Sequence, residues 1–190
     1  MQQHFYYREL ISFLFTAAIG TLLHFLFDLS GQFPPLGAIS AVNESVWEHM
    51  KLLFVPMAAA AKLQSLLSGD GNKSFWSAKL LGIITGLALI PALYYTYTGG
   101  LGIHMTWMDI SIFYVSAAAG YLVDILFVRC RAQRVCRWER IAQAAILVIA
   151  LVFVLATFFP PKLPIFQDPV TGEYGIPRQE TDHAAYSSIR

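Results

Sequence analysis

Five long apolar runs, separated by short polar or turn-forming stretches, set the rhythm of the chain. A helix crossing a bilayer needs about 20 mainly apolar residues. The runs from roughly Arg8 to Phe27, Asn43 to Leu67, Phe75 to Tyr97, Trp107 to Val128 and Ile141 to Phe159 meet that length and predict five transmembrane helices. Gly31, Pro34 and Pro35 after the first run predict a turn or a short re-entrant piece, and SGDGNKS over 68–74 predicts a polar turn. Pro56 and Pro91 fall inside the second and third runs, where a membrane helix tolerates a kink if neighbours satisfy the freed carbonyl. Pro160 and Pro161 end the fifth run. The pattern predicts an all-α polytopic integral membrane protein, with a transmembrane domain over 1–161 and a C-terminal tail over 162–190.

Composition agrees: 56% of the residues are hydrophobic and only 13% are charged, about half the charged share of an ordinary soluble domain. The first apolar run lacks an A-x-A cleavage site near its end, so it reads as a retained span rather than a signal peptide. With a net charge of +1 and its arginines in one short segment, the chain has no basic field for nucleic acid, and its expected surroundings are the lipid bilayer. Cys130 and Cys136 have no second pair to complete a metal pattern and read as reduced thiols.

The segment RCRAQRVCRWER holds five arginines between runs four and five. The positive-inside rule puts it in the cytoplasm. Counting back through the spans puts the amino terminus inside, the 68–74 turn with flanking Lys62, Lys73 and Lys79 inside, and the tail outside. On that count the ionisable residues fall at one level. His24 and Asp28 end span one, NESVWEHMK (43–51) opens span two, His104 precedes span four and Asp109 enters it. Ionisable groups at membrane depth are costly and usually face a cavity or one another, so these are expected to converge at the extracytoplasmic ends of the helices.

Imidazoles on separate helices with carboxylates nearby suit a zinc site of three neutral nitrogen ligands and one open position. The expected ligands are His24, His49 and His104, with Glu48 or Glu44 as general base and Ser45 steadying a bound water or an oxyanion. Asp28 and Asp109 are expected to orient His24 and His104, and Asn43 is expected to cap the second helix. With that start, Glu44, Glu48 and Lys51 stack on one face, and the plain structural alternative is that they neutralise one another and lock span two to its neighbours. Trp47 reads as a belt or packing residue. Asp124, near the other end of span four, is expected to pair with a lysine or arginine there. In the tail, Ile165, Phe166, Tyr174 and Ile176 are interleaved with turn formers; DPVTGEYG predicts a tight turn, and the apolar residues predict a lid folded over the site.

LLHFLFDLSG, AVNESVWEHMKLLFVP and the tail's PIFQDPVTGEYGIPR resemble an uncharacterised family of small bacterial integral membrane proteins, a domain of unknown function. That resemblance implies an architecture and a bacterial inner-membrane location, and it assigns no activity. Ser45-x-x-x-His49 is also similar to an element of the seven-span zinc hydrolase superfamily that contains alkaline ceramidases and adiponectin receptors. This implies that His49 is a ligand and that Ser45 flanks the zinc water. The chain departs from that superfamily in having about five spans and no late His-x-x-x-His pair. The expectation is a metal-dependent membrane hydrolase acting on a lipid or amphipathic envelope molecule. The alternatives are a small transporter or binding protein for a cation or amine, and an assembly factor in which the polar cluster only fixes packing.

Overall fold

The computed structural model describes residues 2–68, 74–129 and 138–177. Five helices run alternately up and down: α1 (Gln2–Leu29), α2 (Val46–Ser68), α3 (Phe75–Leu101), α4 (Thr106–Arg129) and α5 (Glu139–Phe158). All five are long and apolar enough to cross a membrane. Their outward faces carry Leu10, Ile11 and Leu14 of α1 and Leu147, Val148 and Leu151 of α5, all exposed. Such a surface fits hydrocarbon, whereas in water it would be a large unprotected apolar patch. Glu9, Glu48, Lys51, Lys79 and Asp124 are buried instead. The molecule is a multi-pass membrane bundle with these five charges inside.

Helix ends show how the sequence sets the boundaries. The carboxylate of Glu139, in the first turn of α5, accepts the N–H groups of Trp76 (2.8 Å) and Ser77 (3.1 Å), so it fills donors that the start of α3 leaves without partners. At the other end of α3, Gly102 takes the left-handed conformation (φ 65°) and donates to Thr98 O. α3 and α4 approach most closely where Gly82 meets Gly120: a Cβ on Gly82 would lie 2.6 Å from Gly120 O. The small-residue stretch Ser116–Gly120 therefore serves close packing, as its composition predicts.

Three expectations change. α2 begins at Val46, not Asn43, because Ser45 and not Asn43 supplies the cap. Glu44 is consequently outside the helix and does not stack on Glu48. Lys79, counted as a flank of the 68–74 turn, is buried at 6% exposure between two carboxylates. The arginine-rich connection with Cys130 and Cys136, most of the 68–74 turn, and the last residues with His183 lie outside the described residues.

The piece after α1 is a folded loop containing a 3-10 turn at Pro34–Ala38. The tail returns to the same end of the bundle. Phe166 is buried against Trp47, whose ring lies 4.6 Å from both Phe153 of α5 and Phe166. Asn43 Nδ2 donates to Gly175 O at 2.9 Å. An antiparallel bridge from Gln167 to Tyr174 and the Asp168 N to Glu173 O bond close DPVTGEYG as a tight turn.

Candidate functional site

The start of α2 is built from short polar bonds. Asn43 Oδ1 accepts from Ser45 N at 3.0 Å, and Ser45 Oγ accepts from Glu48 N at 3.3 Å, which is N-cap geometry with Ser45 as the cap. Ser45 O then lies 2.9 Å from His49 Nδ1. A carbonyl oxygen can only accept, so Nδ1 carries a proton, and in the neutral ring Nε2 is the nitrogen with the lone pair. Glu44, in the loop just before, has a half-exposed carboxylate between two rings: Oε1 is 3.6 Å from His24 Nε2 and Oε2 is 3.6 Å from His49 Nε2. One ligand atom from each of His24, Glu44 and His49 lies within 4.8 Å of the others. The 3.6 Å separations approach the roughly 3.3 Å between ligand atoms around a tetrahedral zinc with bonds of about 2.0–2.1 Å.

His104 stands in the α3–α4 connection and is not a member of that group. Its Nε2 is 3.5 Å from Asp109 Oδ2, and Asp109 Oδ1 accepts from Tyr97 OH at 2.5 Å. Both sets line one cavity of about 460 Å³ among α1, α2, α3 and α4. Toward the middle of the bundle its wall turns apolar, with Leu52, Ile90 and Phe113. Phe113 packs directly on Gly20, where an added Cβ would lie 2.5 Å from the ring. At the α1–α4 seam the lining includes Phe25 and Ile110, both exposed on the outside of the bundle. Thr21 Oγ1 and Tyr114 OH bond across this seam at 3.1 Å. Val170 brings the tail into the cavity wall.

The structure thus gathers His24, Glu44, His49, His104 and Asp109 around one space, and the sequence pairing of His104 with Asp109 holds. Other expected site residues lie elsewhere. Glu48 is not in the lining: it is buried, with Oε2 2.6 Å from Lys51 Nζ and accepting from Val42 N at 3.1 Å. Lys51 is fully buried and also donates to Gly37 O and Thr157 Oγ1. Ser45 is buried as the cap, and Asn43 faces the tail. Asp28 is exposed, and the carboxylate that meets His24 is Glu44. The reason is the late start of α2, which frees Glu44 to turn toward α1 while Glu48 stays on the inward face. A Ser-x-x-Glu spacing at 45–48 was the signal for that start. Asp124 pairs with a lysine as expected, Lys79, but the second carboxylate there, Glu9, was not foreseen.

Fold and site together define a five-helix integral membrane protein with an ionisable, apolar-floored cavity at one end of the bundle. The chain belongs to a family of unknown function, DUF6512, whose model matches residues 2–176. No curated protein and no solved structure matches it.

Proposed function

We propose that the chain is a metal-dependent membrane hydrolase whose centre is His24, His49 and Glu44, acting on a lipid or another amphipathic molecule. The observation that carries the reading is the convergence of two imidazole Nε2 atoms and one carboxylate at the wall of a cavity whose floor is apolar. Two histidines and a glutamate are a zinc donor set that leaves a position for water or substrate. Bound zinc would supply hydroxide near neutral pH. Ser45 O, by accepting the Nδ1–H of His49, leaves Nε2 as the nitrogen presented to a metal. Asp109, held by Tyr97, is placed to hold His104 in position to give or take a proton in the same space. An amphiphile fits because polar groups and apolar wall share one cavity, and because that cavity reaches the bilayer side at the α1–α4 seam. The arginine-rich connection supports an orientation with this end outside the cytoplasm and the tail as its cover.

Elemental analysis of protein purified without chelators tests the reading. About one zinc per chain is expected, lost in His24→Ala and His49→Ala and retained in His104→Ala. The His104→Ala protein should fail to cleave ester or amide amphiphiles presented in mixed micelles. Absence of stoichiometric metal, or metal content indifferent to His49→Ala, removes the proposal. Iron in place of zinc removes zinc as the metal.

A further inference from the structure

At the opposite end of the bundle, three ionisable side chains meet with almost no access to solvent. Glu9 of α1 and Asp124 of α4 are 2% exposed, and Lys79 of α3 is 6% exposed. Lys79 Nζ donates to Glu9 Oε2 at 2.6 Å and to Asp124 Oδ2 at 2.5 Å. Among the described residues, Lys79 is the cation in ion-pair contact with either carboxylate. Two carboxylates and one ammonium leave an excess negative charge. In a bilayer interior, where an uncompensated buried charge costs several kcal/mol or more, that excess calls for one further positive charge.

The groups facing the cluster narrow what that charge can be. α1 adds Ser12, while Arg8, the chain neighbour of Glu9, donates instead to Gln64 O at 3.4 Å. α2 presents Met57, Ala60 and Ala61, and α4 adds Tyr121, which bonds Thr16 and Ser12 O. Of the two carboxylate oxygens that do not meet Lys79, Asp124 Oδ1 is buried with no hydrogen-bond partner, although Asp124 lines a cavity of about 10 Å³ shared with Ser12, Lys79 and Tyr121. A space of roughly 10–15 Å³ takes one water and no more. The ring of Tyr121 lies 5.9 Å from Lys79 Nζ, so the site is closed on that side by an aromatic face. There is room for a proton and its water, and too little for a hydrated metal ion.

We infer that Glu9, Lys79 and Asp124 form a proton-binding site within the membrane, in which the two carboxylates hold a single proton at neutral pH and a water in the adjoining cavity bonds Asp124 Oδ1. The proton leaves the site neutral, with one carboxylate paired to Lys79 and the other a neutral acid. This is independent of the metal reading at the far end of the chain. It gives the protein a group that must release or accept a proton whenever Lys79 moves.

Infrared spectroscopy of the purified full chain in detergent, in H₂O and D₂O, tests the charge balance through the carbonyl stretch of a protonated carboxyl. Difference spectra against each variant isolate the site. Wild type should show one such group that is absent in Glu9→Gln and in Asp124→Asn, because either change leaves Lys79 a single partner. Lys79→Met should double the signal, and Glu9→Gln combined with Lys79→Met should return it to the wild-type amplitude. The two amide variants are near-isosteric and keep a neutral ion pair, so they decide the matter even if Lys79→Met does not fold. A wild-type protein whose spectrum is unchanged by both amide substitutions overturns the inference. So does a signal that disappears on adding sodium, which would make the bound charge a metal cation.

Discussion

Lys51 shows how a charged residue can serve packing within a few ångströms of groups that serve chemistry. All three of its ammonium hydrogens are used, on Glu48 Oε2 and Gly37 O at 2.6 Å and on Thr157 Oγ1 at 2.8 Å. Thr157 in turn donates to Glu48 Oε1 at 3.0 Å. The cluster joins α2, the 3-10 turn and α5 in the interior, where each group depends on the others for its charge balance. Lys51→Met strands the Glu48 carboxylate and should cost about 3–5 kcal/mol. Adding Glu48→Gln should restore a large part of it, because the stranded charge is then gone. Denaturation in detergent micelles reads both effects, and the double variant should keep its metal content, since neither residue lines the cavity. Two residues back along α2, and so on the opposite side of the helix, His49 has the opposite character: its Nδ1 bonds Ser45 O and its other nitrogen lies toward Glu44 at the cavity.

At the scale of elements, small residues decide how close the helices come. Gly82 and Gly120 each present backbone to the other, with would-be Cβ atoms 2.6 and 2.7 Å from the facing carbonyl oxygens. Nothing flexible stands there to yield. Gly82→Val should therefore push α3 from α4 and lower stability by more than the 1–3 kcal/mol typical of an overpacked core. The same separation should loosen Lys79 from Asp124, since Gly82 also lies 3.3 Å from Asp124 Cβ by the same measure. A lowered melting midpoint together with a changed protonated-carboxyl signal checks both consequences. The tail is held by a different kind of contact: Trp47 sits between Phe153 and Phe166, so α2, α5 and the tail share one aromatic stack.

For the whole molecule, the arrangement is two polar centres at opposite ends of an apolar bundle. The histidine cavity lies where α1 ends and α2 begins, and the Glu9 cluster lies where α3 begins and α4 ends. Phe113 on Gly20, with Leu52, closes the cavity's inner side. In the orientation proposed from the arginine-rich connection after α4, the Glu9 end faces the cytoplasm. Reporter fusions after residue 134 should be active only in a cytoplasmic format, and fusions after residue 177 only in an extracytoplasmic one. The reverse result would place the histidine cavity on the cytoplasmic side and remove envelope amphiphiles as substrates.

The five spans and their order were readable along the chain because length and apolarity are local properties that a bilayer demands of each helix separately. So was the tight turn at DPVTGEYG, whose bonds join near neighbours. The pairing of His104 with Asp109 was also legible, since a short connection keeps them together. What the linear order could not decide was which carboxylate meets which base. Glu44 and Glu48 are four residues apart and chemically alike, yet one faces His24 across the cavity and the other is sealed against Lys51. Glu9, Lys79 and Asp124 come from three helices and meet only when those helices pack. Membrane-spanning length follows from each segment's own composition, whereas a shared pocket depends on the rotation of each helix about its axis, and packing against neighbours sets that rotation.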